Sequence, residues 1–299
     1  MLIRIHVTVA SNSIPYYLYM VRNYSALASG HHQVEFFAHC LDKEAFSKLS
    51  ISKETYKAIE VFKNPRFYVL QTWRDFLKAF AAALGLPRPM SGSNGHSAGV
   101  SSALSITGGA VDIIADADTV MLKSHWDITL LELLSNYGIV GTCYEDIGGF
   151  SSGSGNIQTY KRKPSMTWFA MSSRFNWKDL DPKPSKAANI KITSKELSAL
   201  YNLPLGAELA RDVGWKLPSY LEDNNISYVV FDQIKPTSEE ALVLKSGIDY
   251  HEEYHHKGKP FLAHQRGSHK HKFRASPISE SFYNSCDIYM KKIGIDLNG

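Results

Sequence analysis

Short apolar stretches with the spacing of strands open the chain, and a longer stretch with helical spacing lies between the first two. The strand-like stretches cover residues 3–9, 34–40 and 66–70, and the helical pattern covers residues 14–28. Parallel strands need a long connection, usually a helix, so this order is typical of a β-α-β unit with a right-handed crossover. The opening pattern therefore predicts an α/β fold built on a parallel sheet.

Helical and strand-like spacings of apolar residues continue to the end of the chain. Helical spacing recurs in residues 73–84, 98–106, 127–137, 194–201, 208–224 and 278–293, and strand-like stretches recur in residues 138–144, 166–171 and 228–231. We find neither an internal repeat nor a linker between separate blocks. We therefore expect a single domain that spans residues 1–299.

Two carboxylates follow the apolar run of residues 111–115, and a second apolar run follows them. The first run predicts a buried parallel strand, because strands covered on both faces are apolar along most of their length. Asp116 and Asp118 are two residues apart, so on an extended chain they point to the same side. They would lie at the carboxyl end of the strand, where α/β sheets bind ligands. Since Mg²⁺ and Mn²⁺ prefer carboxylate and phosphate oxygens, the pattern predicts a metal held between the protein and a diphosphate.

The simpler alternative is a chance pair of solvated acids in a loop, since the chain has 29 acidic residues. The apolar residues on both sides favour a site, because a buried acid needs a partner that offsets the cost of desolvation. We therefore treat Asp116 and Asp118 as candidate metal ligands.

Charge and cysteine content narrow the function classes further. The formal net charge of +4 is mildly basic, which suits a phosphate-bearing ligand but falls short of a dedicated nucleic-acid domain. The three cysteines are odd in number and widely spaced, which argues against a disulfide framework and favours a reducing, cytoplasmic compartment. We see no signal-peptide pattern in residues 1–10 and no run of about 18 apolar residues, so we expect no membrane span.

Four segments, in this order along the chain, resemble the GT-A fold glycosyltransferases. Residues 7–13 resemble the strand and turn where that family begins to hold a nucleotide, and residues 40–42 resemble a strand end that places an acid near the nucleobase. Residues 94–118 are similar to the helix that leads into the Asp-x-Asp metal motif, and residues 261–269 to a late strand with a His-containing turn. The resemblance implies a GT-A-like, Rossmann-type open sheet, mostly parallel and flanked by helices.

The same resemblance implies an activity and a set of site residues. The activity is transfer of a hexosyl or pentosyl group from a nucleotide sugar, with a UDP-sugar as the expected donor and Mn²⁺ or Mg²⁺ as the metal. The implied metal ligands are Asp116, Asp118 and His264. The implied donor contacts are Ala10, Ser11, Asp42, Asn94, Asp116, His269 and Lys272. A nucleotide-binding half would cover residues 1–125, and an acceptor half that ends in a helix would cover residues 126–299.

An enzyme that inverts the sugar's configuration also needs a base for the acceptor hydroxyl. The family often supplies an acid between the metal motif and the late histidine, and Asp212 or Glu208 is the candidate here. The alternative is that both acids cover a solvated helix face, and an enzyme that retains configuration needs no such base. The acceptor stays open: a glycan or protein is the default, and a modified nucleic-acid base is a further option. The sequence leaves the oligomeric state open.

Two rival functions remain. Residues 251–255 match H-E-x-x-H, so on a helix His251 and His255 would share a face and bind zinc, with Glu252 as a base. Gly258 and Pro260 would end such a helix within a turn, which favours a polar loop instead. The second rival is a non-catalytic carbohydrate- or nucleic-acid-binding module, which leaves the buried carboxylate pair unexplained.

Overall fold

The structure is a computed structural model. It describes residues 1–51, 55–70, 73–86, 90, 92–143, 156–157, 163–184, 190–201, 204–209, 213–245, 247–248, 250–266 and 272–297. The strands are β1 (Leu2–Val9), β2 (Gln33–Cys40), β3 (Tyr56–Glu60), β4 (Val111–Ala115), β5 (Thr119–Met121), β6 (Ile139–Cys143), β7 (Asn156–Ile157), β8 (Pro164–Ser172), β9 (Ile190–Lys191), β10 (Glu208–Leu209), β11 (Tyr228–Val230), β12 (Asp232–Ile234), β13 (His251–His256) and β14 (Lys259–Gln265). The helices are α1 (Ile14–Leu27), α2 (Lys43–Ser50), α3 (Trp73–Ala83), α4 (Gly92–Ser105), α5 (Trp126–Leu134), α6 (Lys195–Tyr201), α7 (Leu217–Asp223) and α8 (Pro277–Lys292).

Seven strands form the main sheet, in the order β11-β6-β8-β4-β1-β2-β3. Neighbours pair in parallel except at β8, which runs antiparallel to both β4 and β6. The predicted β-α-β opening is confirmed, because α1 connects the parallel strands β1 and β2. The predicted α/β class, with an open and mostly parallel sheet flanked by helices, is also confirmed.

A second, antiparallel sheet has the order β12-β13-β14-β5. Only residues 116–118 separate β4 of the main sheet from β5 of the second sheet. The two sheets share one hydrophobic core, in which the rings of Phe231 and Phe261 stack 4.2 Å apart and Trp168 packs edge-on against Phe261. The chain therefore passes from one sheet to the other at the two carboxylates that the sequence singles out.

One predicted strand and one predicted helix are wrong. No strand forms over residues 66–70; Pro65–Phe67 is a turn of 3-10 helix, and the third strand is β3. Proline has no N–H to donate to a strand partner and fixes its own φ, so it favours this turn. Of the helix predicted over residues 208–224, the described residues form only α7: Glu208–Leu209 is β10, and Gly214 has a φ of +77°, where a Cβ would overlap Met166.

Among the helices that the structure describes, none has both the length and the apolar character needed to cross a bilayer.

Candidate metal centre

Sheet pairing places a histidine beside the two carboxylates. β5 begins at Thr119, one residue after Asp118, and pairs antiparallel with β14 so that Thr119 lies opposite His264. The backbone N–H of Gln265 donates to the carbonyl of Asp118 at 3.2 Å, which fixes β14 against the turn. A late strand is therefore held against an early turn by ordinary ladder hydrogen bonds.

Asp116, Asp118 and His264 converge on one point. Each offers one ligand atom, two carboxylate oxygens and one imidazole nitrogen, and these atoms all lie within 4.8 Å of one another. The side chain of Asp116 is 28% exposed, whereas those of Asp118 and His264 are 8% exposed. The cluster is therefore reached from solvent on the Asp116 side.

The carboxylates converge by a different route from the predicted one. Residues 116–118 form a turn, not an extended strand, and Thr119 closes it by donating its backbone N–H and its hydroxyl to the carbonyl of Asp116. The i, i+2 spacing therefore brings the carboxylates together through the turn and the sheet change, rather than through alternation along a strand.

Glu252 fixes the orientation of the His264 ring. The Nδ1 of His264 lies 2.7 Å from a Glu252 oxygen, and its Nε2 lies 3.4 Å from Asp118. Tyr254, Gln233 and Arg266 all donate to the same Glu252 carboxylate. Metal-binding histidines commonly donate their other ring N–H to a carboxylate, which sets the tautomer and aims the ligand nitrogen. The arrangement leaves Nε2 as the atom that faces the cluster.

Burial and mutual charge set the proton affinities of the cluster. Burial alone would lower the pKa of His264, but the carboxylates of Asp118 and Glu252 outweigh burial and raise it to about 10. Burial raises the pKa of Asp116, and Asp118 adds to the rise, while His96 opposes it. Burial would also raise the pKa of Glu252, yet His264 holds it below its usual range. His264 is thus the positive group that offsets the carboxylates, and a metal that binds its Nε2 must displace a proton.

Helix α4 adds a second histidine to the cluster. The Nε2 of His96 lies 3.2 Å from an Asp116 oxygen. Gly99, one turn later, faces Thr8 of β1 so closely that a Cβ there would overlap the threonine side chain. A larger residue at this position would push α4 away from the sheet and His96 away from Asp116.

The metal cluster does not include four other predicted donor contacts that the structure describes: Ala10, Ser11, Asp42 and Asn94. Asp42 accepts from the backbone N–H of Ser11 and of Ala45, both at 2.8 Å, so it ties the end of β1 to the start of α2. The backbone N–H of Ala10 donates to Ser13. Asn94 lines a small cavity formed by α3, α4 and the residues before them.

Of the remaining predicted site residues, two lie in the described part of the chain and two lie outside it. Lys272 is exposed. Glu208 lies in β10, which pairs with β7 and β9 instead of forming the expected helix. His269 and Asp212 lie outside the described residues.

The zinc motif does not form. Residues 251–255 belong to strand β13, so the expectation of a polar loop is wrong as well. A strand sets residues four apart well beyond the distance of one helical turn. His251 approaches the carbonyl of Ile278, and His255 approaches Glu253, so the two histidines have separate partners.

Sequence reasoning missed His96 and the role of Glu252 as a partner of His264. One signal was present for Glu252: Lys257 and Gly258, both with positive φ, form a two-residue hairpin turn between β13 and β14. A Gly in such a turn between two short segments indicates a hairpin. Pairing across this hairpin sets Glu252 directly opposite His264.

No protein-family model matches the chain, and no curated protein matches it in sequence. Among solved structures, an active-site mutant of the galactosyltransferase LgtC matches with a TM-score of 0.40 and 11% identity, over 78% of this chain and 73% of that one. A mannosyltransferase from Pyrobaculum calidifontis, in complex with GDP-Man and Mn²⁺, matches with a TM-score of 0.34 and 12% identity, over 58% and 44%. The glycosyltransferase GlyE of Streptococcus pneumoniae matches with a TM-score of 0.35 and 10% identity, over 77% and 45%.

This chain spans less than half the length of the last two proteins. The matched proteins belong to the class that the sequence resembles. Similarities this distant do not establish a function, so the function has to be inferred from the side chains of this chain.

Proposed function

We propose that this chain is a metal-dependent glycosyltransferase that moves a hexosyl or pentosyl group from a nucleotide sugar to an acceptor hydroxyl. The observation that carries the proposal is the convergence of Asp116, Asp118 and His264 at the carboxyl end of β4, with Glu252 behind the histidine. Ligands bind at this end of the strands in open α/β sheets.

The donor atoms fit a divalent cation. Two carboxylate oxygens suit either Mg²⁺ or Mn²⁺, and an imidazole nitrogen suits Mn²⁺ better, because Mg²⁺ favours oxygen ligands. When bound, such a cation stabilises the negative charge that develops on a leaving diphosphate. Asp118 and His264 would hold the metal, and Asp116, the most exposed of the three, would also contact the ribose.

A nucleoside diphosphate is the expected second component, and UDP is our first choice. The strand ends that carry Ser11 and Asp42 lie on the same edge of the main sheet as Asp116, since β1, β2 and β4 are parallel neighbours. Lys272 and His269 would neutralise phosphates, and Asp212 or Glu208 would act as the base in an inverting reaction. The acceptor would be a glycan or a protein, with a modified nucleic-acid base as the further option.

The first test is thermal unfolding of the full chain with UDP alone, Mn²⁺ alone and both together. A ligand that binds only the folded state raises the unfolding midpoint by mass action. We expect the pair to raise the midpoint by several degrees more than the two single shifts combined, because metal and diphosphate would share one site. Asp118→Asn should abolish this synergy, whereas Glu240→Gln, an exposed acid in the loop after β12, should keep it.

The outcome separates this proposal from its rivals. Synergy followed by turnover of a UDP-sugar supports a transferase, and donor sugars and acceptors can then be screened. Synergy that no donor or acceptor converts into turnover would favour a non-catalytic binding module. No synergy with any nucleoside diphosphate and either metal would overturn the proposal.

A further inference from the structure

Helix α3 presents an apolar face to solvent. Its members, together with one residue before the helix and two after it, are between 44% and 71% exposed: Leu70, Trp73, Phe76, Leu77, Phe80, Leu84 and Leu86. The helical members follow the spacing i, i+3, i+4, i+7, which places them in a single stripe. We call this set the α3 face. Large side chains of this kind normally lie inside a protein, and a contiguous exposed group of them marks an interaction surface.

The side of α3 opposite this face packs against the rest of the protein. On its opposite side α3 buries Asp75, Ala81 and Ala82, and Ala82 belongs to a small core with Val61 and Met90. The helix therefore already buries one side against the protein. The exposed stripe is a second apolar side, and burial of the first does not account for it.

Aromatic rings dominate the centre of the face. Trp73 and Phe76 stack with ring centroids 5.0 Å apart, and Phe76 and Phe80 follow at 6.4 Å. Tryptophan and other aromatic residues are favoured at the boundary between lipid headgroups and acyl chains, where amphipathic helices lie in the plane of the surface.

The segment of the chain that contains this face is basic. Residues 61–90 carry Lys63, Arg66, Arg74, Lys78 and Arg88 against one acid, Asp75, a net charge of +4. The whole chain has 33 basic and 29 acidic residues and is also +4, so the other 269 residues are neutral overall. Arg74 is exposed beside the stripe, whereas Asp75 is buried. An anionic surface would meet apolar side chains and cations together.

We propose that the α3 face docks this protein on the surface of an anionic lipid bilayer. Apolar contact and electrostatic attraction act together in such helices, and each basic residue near an anionic membrane strengthens the binding. A second copy of the chain fits less well, because a two-fold interface would set each patch of cations against itself. A nucleic acid fits less well too, because Leu70, Leu77, Leu84 and Leu86 offer it no hydrogen bonds.

Behind this face, α3 shares a cavity with the helix that reaches the candidate metal centre. The cavity between α3 and α4 is lined by Asp75 and Lys78 from α3 and by Asn94 from α4. α4 also carries His96, which contacts Asp116. The membrane proposal itself rests only on the α3 face and holds whether or not the centre transfers sugars.

The test is co-sedimentation of the full chain with vesicles of phosphatidylcholine alone and of phosphatidylcholine with 30% phosphatidylglycerol. We expect binding to the anionic vesicles, at least tenfold weaker binding to the neutral ones, and weakening at high salt. Trp73→Ser combined with Phe80→Ser should weaken binding at least tenfold without lowering the unfolding midpoint. Ile288→Ser, an exposed isoleucine on α8, is the matched control and should bind like the unchanged protein.

A charge variant separates the two contributions. Arg74→Gln should lower the preference for anionic vesicles, because it removes the exposed cation beside the stripe. The proposal would be overturned if the unchanged protein sedimented with neither vesicle, or if it and the Trp73/Phe80 variant sedimented equally. It would also be overturned if the unchanged protein did not bind vesicles and the variant instead lost self-association or oligonucleotide binding.

Discussion

Carboxylates and histidines contact one another in two separate series in this molecule, which we call the closed line and the open line. In the main sheet, Asp112 contacts His6 at 3.0 Å, His6 contacts His39 at 3.1 Å, and His39 contacts Ser102 at 2.9 Å. Beyond the carboxyl end of β4, where the chain passes to the second sheet, Asp118, His264 and Glu252 form the second line. Residue types alone do not distinguish the two.

The first line is closed. All four ring nitrogens of His6 and His39 have hydrogen-bond partners, and the other oxygen of Asp112 accepts from the backbone N–H groups of Gly108 and Gly109. Burial and the neighbouring His6 lower the pKa of His39 well below its usual value, so this ring stays neutral. Such a satisfied buried network specifies packing and offers no group to a ligand.

The second line is open. Asp116 adds a partly exposed carboxylate, and ligand atoms of three residues face one point. Carboxylates on both sides raise the pKa of His264 to about 10, so this histidine is positive where His39 is neutral. A candidate site is therefore recognised by the convergence of ligand atoms and by access from solvent, and a carboxylate beside a histidine is insufficient.

The largest expected effect is on catalysis at the open line. Asp118→Asn should lower kcat/KM for a UDP-sugar by about 10³-fold, because the variant loses a charged ligand of a metal that stabilises the leaving group. Initial rates with Mn²⁺ present, beside a circular dichroism melt, measure this. Normal turnover in the variant would show that the open line is not catalytic.

The next effect is on stability at the closed line. Asp112→Ala should lower the free energy of unfolding by about 3–5 kcal/mol, because it leaves His6, Gly108 and Gly109 without their buried acceptor. Urea denaturation measures the loss, and kcat per folded molecule should stay within twofold. A variant that stays stable but loses turnover would reverse the roles that we assign to the two lines.

A smaller effect should come from Glu252→Gln. The amide keeps the size of the side chain but removes the charge that orients His264, and changes of this kind weaken metal binding about 10- to 100-fold. Isothermal titration with Mn²⁺ measures the affinity, and Glu240→Gln serves as the exposed control. Equal affinities in the two variants would mean that Glu252 does not position the ligand.

The smallest effect is a pH dependence that belongs to the closed line. The folded pKa of His39 lies below its unfolded value of about 6.5, so the unfolded chain binds more protons as the pH falls through that value. This residue's contribution to stability is present above pH 6.5 and should fall by about 1 kcal/mol between pH 6.5 and 5.5.

The variant His39→Gln isolates this contribution. The difference in unfolding free energy between the unchanged protein and this variant should shrink over the same pH interval. A difference that stays constant would mean that His39 has the same proton affinity in both states.

Sequence periodicity predicted the elements whose burial follows from apolar spacing alone. β1, α1 and β2 are of this kind, and the turn between β4 and β5 stood out because acids interrupt two apolar runs. β13 could not be found in this way, since five of its six residues carry polar or charged groups and yet lie almost entirely inside. Glu253, for example, accepts from the backbone N–H groups of residues 242–244, and the local sequence pattern does not predict those partners.

The closed line was invisible to sequence analysis for the same physical reason. His6 meets a histidine 33 residues away and a carboxylate 106 residues away, so sheet order alone brings them together. Candidate metal ligands were predicted from a short motif and a resemblance, and the structure supplies their convergence, which neither the motif nor composition contains. The base assigned to Asp212 or Glu208 stays a prediction.

In the β13–β14 hairpin, the candidate site residues lie at the end of the strands that is opposite the turn. Glu252 and His264 face each other across the strands, while Lys257 and Gly258 reverse the chain far from them on the surface. Because side chains alternate along a strand, a one-residue slip would send His264 to the wrong face, whereas loop residues added within the turn would leave the pairing unchanged. Variation in length should therefore accumulate at the turn, which makes it the natural place to insert an epitope or a fluorescent label.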